Sequence, residues 1–271
     1  MKWACGVTTV PERRACLLPG TLQSLAAAGF DRPRLFVDGA RPQLDPWVRD
    51  KPDLEVTHRW PLIRTFGNWA LGLAELYVRE PGADRFAMFQ DDLVAVRNLR
   101  AYLERCPYPE RGYLNLYTFP SNQAIAPAGG GWYEGALLAS GSGDLRFQTG
   151  RGAVALVFSR EAVVTLLCSQ HMIERPQDAQ NGWKRLDGGV VTAMNKAGWR
   201  EYVHSPSLVQ HTGLVSSMRN RPHKQAESFP GEQFDALSLL SCRKEHDEEK
   251  GNGRRKDDVN DVGGMLYRSD F

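Results

Sequence analysis

The sequence predicts an α/β domain in which a parallel β-sheet is covered by helices. In the first half of the chain, short apolar segments of strand length alternate with segments of helical periodicity, as they do in repeated βα units. The 271 residues are 42% hydrophobic and 24% charged, so the chain contains enough apolar material for a sizeable core. This composition excludes a protein that is disordered throughout, and it excludes a collagen-like repeat.

The first half of the chain contains four predicted strands and two predicted helices. Apolar runs bounded by Gly, Pro or Asp predict strands over residues 3–9, 34–37, 54–58 and 85–89. Apolar side chains at helical spacing predict helices over residues 21–28 and 65–79. The fourth strand ends in the polar triplet Gln90-Asp91-Asp92.

The second half of the chain is less regular. Helices are predicted over residues 98–106, over residues 160–168 and from Asp187 onwards. Residues 153–158 predict a buried strand, residues 113–117 form a further apolar segment, and the chain enters residues 201–204 after the last of these helices. Residues 120–152 are rich in Gly, Ala and Ser, and a segment of this length without predicted structure favours a functional loop.

The composition changes near residue 241. From there to the end, mixed charges such as Arg243-Lys244-Glu245 occur with few apolar anchors, which favours a solvated or mobile segment. We therefore predict a single domain over residues 1–240 and a charged, mobile segment over residues 241–271.

Charge, hydropathy and cysteine content narrow the class of protein. The formal net charge of +2 weakens the case for a strongly basic nucleic-acid-binding protein, although it allows a local basic patch. The longest apolar run, residues 153–158, is far shorter than the roughly 20 residues that a transmembrane helix needs. Five scattered cysteines without a C-x-x-C pair, and an N-terminus without signal-peptide features, favour free thiols in a reducing compartment. We therefore expect a cytoplasmic protein without a transmembrane helix.

The two carboxylates that follow the fourth strand are the most informative chemical feature. Ligands of open α/β sheets bind beyond the carboxyl ends of the strands, so we expect Asp91 and Asp92 to project into a solvated cleft. Hard oxygen ligands suit Mg²⁺ or Mn²⁺, and such a cation would neutralise a diphosphate that departs with a nucleotide. The alternative is a helix N-cap or an exposed turn, where Asp is common.

Polar residues also follow the first two strands. Thr8, Thr9 and Arg13 combine hydroxyls, backbone donors and a cationic side chain, which suits a nucleotide and its phosphates; the alternative is an ordinary polar loop. Asp38 ends the second strand, where its carboxylate could accept hydrogen bonds from a base or ribose; the alternative is a tight turn with Gly39. Polar ligands are thus predicted at three strand ends.

Several segments occur in the order seen in a known group of enzymes. They are Gly6-Val7-Thr8-Thr9-Val10-Pro11-Glu12-Arg13, Thr21-Leu22-Gln23-Ser24-Leu25, Leu35-Phe36-Val37-Asp38-Gly39, Phe89-Gln90-Asp91-Asp92 and Pro206-Ser207-Leu208-Val209-Gln210-His211-Thr212-Gly213. In these segments the sequence resembles GT-A-type glycosyltransferases, with the nearest likeness to branching N-acetylglucosaminyltransferases and related small bacterial or viral enzymes. The likeness covers roughly residues 4 to 235, and its most specific parts are the strand that ends in Gln90-Asp91-Asp92 and residues 206–213.

The resemblance implies a GT-A-like, Rossmann-type nucleotide-binding sheet with helices on both faces, and a nucleotide-sugar donor with UDP as the expected nucleotide. The Asp-x-Asp metal motif of the group matches Gln90-Asp91-Asp92, and Gln90 departs from it at the first acidic position. This implies Asp92 as the direct metal ligand and Asp91 as a contact to the donor ribose or sugar. His211 matches a later metal-binding histidine, which moves the preference from Mg²⁺ towards Mn²⁺; without the resemblance, a core or surface histidine is the ordinary interpretation.

Asp187 is the candidate catalytic base. Inverting GT-A enzymes carry a carboxylate at a comparable position that deprotonates the acceptor hydroxyl, and Gly188 and Gly189 would let a substrate approach closely. The alternative role of Asp187 is a helix N-cap. The resemblance favours inversion by direct displacement, and it leaves a retaining reaction open.

The acceptor is expected to be a glycan or a hydroxymethylated DNA base, because small viral enzymes of this general fold glycosylate such bases. Basic residues from Arg219 to Lys224 would contact phosphates, or they lie on a solvated loop. Trp132 and Tyr133 would stack on a sugar or base, or they anchor their loop on the core.

Two other functions stay open at this point. A nucleotidyltransferase also uses an α/β sheet, a metal and a nucleotide, although residues 8–14 lack the Gly-rich phosphate loop that such an enzyme normally shows. A nucleotide-sugar- or glycan-binding module would keep the cleft without catalysing a reaction.

Overall fold

The computed structural model describes residues 1–41, 54–135, 138–139, 145–147, 152–174, 186–213 and 224–240. Its strands are β1 (Trp3–Thr9), β2 (Arg34–Asp38), β3 (Val56–Arg59), β4 (Arg85–Gln90), β5 (Leu93–Ala95), β6 (Gly112–Asn115), β7 (Gly131–Glu134), β8 (Leu138–Ala139), β9 (Leu145–Phe147), β10 (Ala155–Ser159), β11 (Arg200–Ser205) and β12 (Val209–His211). Its α-helices are α1 (Leu18–Ala27), α2 (Arg64–Arg79), α3 (Leu99–Arg105), α4 (Pro120–Gln123), α5 (Arg160–Leu167), α6 (Gln170–Glu174) and α7 (Leu186–Lys196). Two 3-10 helices cover Pro11–Arg13 and Ala236–Leu240.

Eight strands form the central sheet, in the order β3-β2-β1-β4-β10-β6-β11-β7. The strands β1 to β4 are parallel to one another, and β6 and β11 run in the same direction. The strands β10 and β7 run in the opposite direction. The sheet is therefore mixed: six strands run in one direction as expected of a parallel sheet, and the reversed β10 and β7 correct that expectation.

The direction of β10 follows from its connection to β6. The strand β6 ends at Asn115 at the carboxyl edge of the sheet, and the chain enters β10 at Ala155 from the same edge, opposite Phe89 of β4. The chain leaves β6 and enters β10 at the same edge of the sheet, so it does not cross to the opposite edge between them. Two neighbouring strands connected in this way are antiparallel. Sequence periodicity carries no information on strand direction, which is why the sequence does not predict this reversal.

Helices cover both faces of the sheet, as expected. On one face, α2, α5 and α7 bury a cluster that includes Phe36 and Trp69. On the other face, α1 and α3 bury a cluster that includes Leu25, Leu35 and Leu99. Leu35 and Phe36 are neighbours in β2 and belong to different clusters because successive strand side chains point to opposite faces.

Most predicted elements are present, with shifted ends. The strand β1 has the predicted bounds, whereas α1 begins at Leu18 and includes Pro19 and Gly20 in its first turn. Proline is tolerated there because the N–H that it lacks would have no partner within the helix. Residues 120–152, predicted to be a loop, contain α4, β7, β8 and β9. Residues 241–271 lie outside the described residues, so the domain boundary at residue 240 stays a prediction.

None of the helices in the described ranges is both long enough and apolar enough to cross a membrane. Cys5, Cys16, Cys106 and Cys168 are free thiols, and Cys242 lies outside the described residues. Burial raises the pKa of the Cys5 thiol to about 12, so this thiol stays protonated at neutral pH.

Candidate functional site

Polar side chains meet at the carboxyl edge of the sheet, between β1 and β4. These strands are parallel neighbours in which Thr8 lies opposite Gln90, so the residues that follow both strands are brought together. Thr9 donates a hydrogen bond from its Oγ1 to Asp91 Oδ2 at 2.5 Å. Thr8 is buried and donates its Oγ1 proton to the backbone oxygen of Phe89 at 3.3 Å.

Arg13 bridges the two carboxylates of the acidic pair. Its Nη1 lies 2.7 Å from Asp91 Oδ1 and 2.5 Å from Asp92 Oδ2. The 3-10 helix Pro11–Arg13 follows β1 directly, and this turn places the guanidinium at the end of β4. The side chains of Asp91 and Asp92 are 4% and 1% exposed, and that of Arg13 is 13% exposed. The expectation that the acidic pair projects into a solvated cleft is therefore wrong: the pair is buried, and the one positive charge of Arg13 offsets part of its negative charge.

The charges of this cluster set one another's ionisation. The pKa of Asp91 is raised overall, and burial is the largest cause. The charge of Asp92 also raises this pKa, whereas the guanidinium of Arg13 lowers it. Burial lowers the pKa of the Arg13 guanidinium, but the carboxylates of Asp92 and Asp91 outweigh burial and raise this pKa overall. Arg13 therefore stays charged next to the pair.

The small sheet formed by β5 and β12 brings His211 to the acidic pair. His211 lies opposite Leu93 in this antiparallel pair, and the backbone N–H of Thr212 donates to Asp92 O at 2.8 Å. His211 Nε2 is 3.6 Å from Asp92 Oδ2, which is too long for a hydrogen bond. A Cβ at Gly213 would lie 2.5 Å from Asp92 Oδ2, so only glycine allows this close approach.

The residues around Asp92 are predicted to hold Mn²⁺ or Mg²⁺, and one feature fits this role: Asp92 Oδ1 is buried and has no hydrogen-bond partner within the described ranges. Other features do not fit. Arg13 holds Asp92 Oδ2, and His211 Nδ1 accepts the N–H of Gly213 at 3.1 Å, which leaves the proton of a neutral imidazole on Nε2. The described part of the chain also contains no group of three or more His, Cys, Asp or Glu side chains arranged to hold a metal ion. In this arrangement the site does not fit a divalent cation, and its positive charge is the guanidinium of Arg13.

Gln90 links the acidic pair to Asp187. Its Nε2 donates to Ala153 O at 2.9 Å, and its backbone N–H donates to Val154 O at 2.8 Å. The backbone N–H of Gly152 in turn donates to Asp187 Oδ2 at 2.8 Å. Gln90 stands at the first position of the predicted Asp-x-Asp motif. It thus attaches the end of β4 to the segment that precedes β10.

Asp187 lies in the first turn of α7, which begins one residue before the predicted start. Asp187 is partly exposed, and a Cβ at the next residue, Gly188, would meet no atom within 4 Å. Gly152 has a φ of +76°, and a Cβ at this position would clash with the ring of Tyr117. The N–H that holds Asp187 therefore comes from a backbone position that requires glycine.

Glu201 is a buried carboxyl near the site that no sequence motif indicates. It lies in β11, is 3% exposed, and its Oε1 accepts hydrogen bonds from Asn115 Nδ2 at 3.2 Å and the Tyr113 hydroxyl at 3.3 Å. Burial raises its pKa to about 7; the two hydrogen bonds lower the pKa, and the charge of Asp187 raises it. The sequence carries little signal for it, because β11 is the mixed segment Arg-Glu-Tyr-Val-His-Ser, in which a glutamate does not stand out.

Asp38 is separate from this cluster, at the end of β2. It is 2% exposed, and its Oδ1 accepts the backbone N–H of Ile63 at 2.9 Å. Burial raises its pKa, and hydrogen bonds from the backbone of Ile63, Arg64 and Gly39 lower it. The carboxylate is therefore engaged by the turn that precedes α2, and its contact with a donor stays a prediction.

Trp132 and Tyr133 anchor their segment to the domain. The Trp132 ring packs edge-on against His204 with centroids 4.9 Å apart, and the Tyr133 hydroxyl donates to Asn122 O at 2.8 Å. Arg219 lies outside the described residues. Lys224 is described, and its Nζ is 5.7 Å from the centroid of the Phe119 ring.

Comparison with known proteins identifies the fold. No family model matches the chain, and no curated protein sequence matches it. The structure is similar to that of GalNAc-T7 with UDP, GalNAc and Mn²⁺, with a TM-score of 0.54 and 8% sequence identity over 89% of this chain and 48% of that chain. The fold is GT-A-like. This chain spans about half the length of the GalNAc-T7 chain that it matches.

Two further structures have lower similarity scores. A nucleoside-diphosphate-sugar pyrophosphorylase from Vibrio cholerae has a TM-score of 0.43 and 11% identity over 88% of this chain and 99% of that chain. A mannose-1-phosphate geranyltransferase from Thermus thermophilus has a TM-score of 0.40 and 16% identity over 75% and 74% of the two chains. In this GT-A-like fold, Arg13 follows β1 and the acidic pair follows β4, so these residues meet at the carboxyl edge of the sheet.

Proposed function

We propose that this chain is a glycosyltransferase that moves a hexose or N-acetylhexosamine from a nucleoside diphosphate sugar to an acceptor hydroxyl. The observation that supports this most strongly is that the cluster of Arg13, Asp91 and Asp92 lies on the same sheet edge as Asp187 and is linked to it through Gln90. Ligands of open α/β sheets bind at this edge. UDP is the nucleotide to test first, because UDP is present in the GalNAc-T7 structure that shares the fold.

In the proposed donor complex, Arg13 provides positive charge to the diphosphate. A guanidinium binds phosphate oxygens through two parallel hydrogen bonds and stays charged at every physiological pH. The hydroxyls of Thr8 and Thr9, with Asp38 and Asp91, contact the nucleoside and the sugar. Stabilising the charge of the departing diphosphate lowers the barrier to breaking the glycosidic bond.

Asp187 accepts the proton of the acceptor hydroxyl in the proposed reaction. The acceptor oxygen attacks the anomeric carbon as the nucleoside diphosphate leaves, which inverts the configuration. The open space beside Gly188 admits the acceptor, and the N–H of Gly152 fixes the orientation of the carboxylate. General-base catalysis of this kind contributes typically about 10²- to 10⁴-fold in rate.

The metal dependence predicted from Asp92 and His211 requires a different arrangement of the site. A metal bound through Asp92 Oδ2 needs Arg13 to release this oxygen, and a metal bound through His211 Nε2 needs the proton of the imidazole on Nδ1. Activity is therefore to be measured both with Mn²⁺ and with excess EDTA. Full activity in EDTA would reject Asp92 and His211 as ligands of a required metal.

The decisive experiment is incubation with a panel of UDP- and GDP-sugars, with nucleotide release as the measurement. Release that depends on an added acceptor supports the glycosyltransferase. Pyrophosphate release from a nucleoside triphosphate and a sugar phosphate would instead indicate a nucleotidyltransferase. Donor binding without release, with all acceptors tested, would indicate a binding module.

Asp187→Asn is the matched variant for this experiment. It is nearly isosteric, so donor binding and thermal stability should be kept, while transfer falls by about 100-fold or more. Wild-type transfer by this variant would show that Asp187 only holds the backbone of Gly152.

The proposed acceptor is a cytoplasmic glycan, and duplex DNA that contains hydroxymethylcytosine is the second acceptor to test. Transfer to DNA should weaken as salt rises, because contacts with phosphates release counterions. Absence of transfer to this DNA at low salt, with a donor that the enzyme uses, would exclude it.

A further inference from the structure

An exposed aromatic side chain lies at the same edge of the sheet, beyond Asp38. Trp60 directly follows β3 and is 57% exposed, and Leu62 is 54% exposed. An indole that stays in contact with water forgoes the burial that would normally stabilise the fold. Its place at the edge where α/β sheets bind ligands makes a binding role the natural explanation.

The turn that carries Trp60 is fixed to the end of β2. The backbone N–H of Gly39 donates to Arg59 O at 2.9 Å, just before Trp60. Asp38 accepts the N–H of Ile63 at 2.9 Å, just after the exposed residues. Both ends of the turn are therefore held at the end of β2, so the backbone that carries the ring is already ordered when a ligand binds.

Arg41 covers one face of the Trp60 ring. Its guanidinium carbon lies 4.5 Å from the ring centroid, which is a cation–π contact. Because more than half of the residue is exposed in the presence of this contact, ring surface is left for a planar ligand. A guanidinium and an indole together suit a base that carries a phosphate group nearby.

The order of strands places Trp60 at one end of the proposed substrate path. Along the edge, β3 carries Trp60, β2 carries Asp38, β1 carries Thr9, and β4 carries the acidic pair, with Asp187 beyond it. Three strand spacings, about 14 Å, separate β3 from β4. This is the order in which base, ribose, diphosphate, sugar and acceptor follow each other in a donor poised for transfer.

We propose that Trp60 is a stacking platform for the nucleobase of the donor. The inference rests on the proposed function and adds the residue that binds the base. A nucleobase fits this position better than an acceptor glycan, because Trp60 lies on the side of the acidic pair opposite to the candidate base Asp187. Aromatic stacking is available to every base, so Trp60 contributes affinity for nucleotides with little selection among them.

The test is titration calorimetry of UDP and of pyrophosphate with the wild type, Trp60→Ala and Trp60→Phe. We expect Trp60→Ala to weaken UDP binding by about 5- to 150-fold, the range that corresponds to loss of one stacked base. Trp60→Phe keeps an aromatic face and should stay within about threefold of the wild type. Pyrophosphate has no base, so its affinity should be equal in all three proteins.

Leu71→Ala is the matched control, since Leu71 is 50% exposed on α2 and lies outside the turn. Its affinity for UDP should equal that of the wild type, and thermal unfolding of each variant reports whether it is folded.

The outcomes separate this inference from the proposed function. Equal UDP affinity in the wild type and Trp60→Ala would overturn the stacking platform and leave the glycosyltransferase proposal intact. Loss of affinity for an acceptor oligosaccharide, with UDP affinity unchanged, would assign Trp60 to the acceptor and also overturn it. If the folded wild type binds no nucleotide at all, the proposed function and the platform are both wrong.

Discussion

At the scale of single residues, the ion pair of Arg13 with Asp91 and Asp92 determines the charge of the site. The two carboxylates are nearly inaccessible to water, so each depends on its protein partners for stabilisation. Removing one member of a buried ion pair typically costs about 3–5 kcal/mol, because an uncompensated charge is left behind. The same property makes the pair a strong potential binding site for another cation when Arg13 is absent.

Arg13→Gln should raise the affinity for Mn²⁺ by about tenfold or more, since it frees Asp91 Oδ1 and Asp92 Oδ2 while keeping a polar side chain. Mn²⁺ binding is measured by electron paramagnetic resonance or calorimetry, without reference to activity. The exposed Arg105 provides the control variant Arg105→Gln, which should bind Mn²⁺ as the wild type does. An unchanged or lower Mn²⁺ affinity in Arg13→Gln would show that Arg13 does not compete with a cation.

Glu201 makes the stability of the fold depend on pH. Burial raises its pKa to about 7, so the folded protein holds a proton that the unfolded chain loses above the ordinary pKa of 4.5. The native state therefore binds more protons between these two values, and stability falls as pH rises through this window. Above about pH 7 the contribution is lost and the curve flattens.

Glu201→Gln keeps acceptors for Tyr113 and Asn115 but does not ionise. Its free energy of unfolding, measured by urea denaturation, should lack a decline on the order of 2–3 kcal/mol that the wild type shows between pH 5 and pH 7.5. The exposed Glu161 gives the control Glu161→Gln, which should keep the decline. Equal pH dependence in the wild type and Glu201→Gln would mean that Glu201 is ionised in the folded protein.

At the scale of elements, the start of α7 is attached to the entry into β10 through Gly152. A residue with a side chain at this position would adopt a φ of +76° and clash with Tyr117. The attachment therefore relies on a single backbone position between two elements that are far apart in the sequence.

Gly152→Ala should lower the free energy of unfolding by about 1–3 kcal/mol, from the left-handed backbone and the overpacking together. It should also reduce transfer, because the N–H that orients Asp187 moves. Gly20→Ala is the control: a Cβ there meets no atom within 4 Å and the residue lies in α1, so it should be neutral or stabilising by up to about 1 kcal/mol. Urea denaturation of both variants measures the difference, and equal stabilities would contradict the assigned clash.

The ends of the strands could be predicted from the sequence, whereas the burial and the ion pairs of the candidate site could not. The ends of β1, β2 and β4 follow from apolar runs that stop at polar residues, and parallel neighbours bring Thr9 and Asp91 together. The burial of Asp92 could not be predicted, because it depends on β12, which places Thr212 and Gly213 against it from more than a hundred residues away. The ion pair with Arg13 depends on the direction of the turn after β1, which local composition does not determine.

At the scale of the whole molecule, the last described segment completes the core on one face of the sheet. Ala236 is fully buried, and its N–H donates to Arg97 O at 3.0 Å. Leu237, Leu239 and Leu240 pack against the same cluster. The predicted domain boundary at residue 240 therefore falls directly after residues that contribute to stability.

A chain truncated after residue 240 should keep the thermal stability of the full chain within about 2 °C, since residues 241–271 carry few apolar anchors. A chain truncated after residue 235 loses Ala236 and the leucines, and it should be less stable by about 2 kcal/mol or more. Calorimetry of the three proteins measures both effects. A large loss of stability on truncation after residue 240 would show that the charged segment belongs to the domain.

The antiparallel entry of β10 affects how this architecture can diversify. The chain leaves β6 and returns to β10 at the same edge, so residues 116–154 are topologically an insertion between two paired strands. This insertion itself supplies β7, which pairs with β11, so changes of length outside β7 leave the register of the sheet untouched, and each doubling of the loop length adds only about 0.6 kcal/mol of loop-closure entropy. Sequences built on this plan are therefore free to vary the loops next to Asp187 while the strands β1 to β4 stay constant.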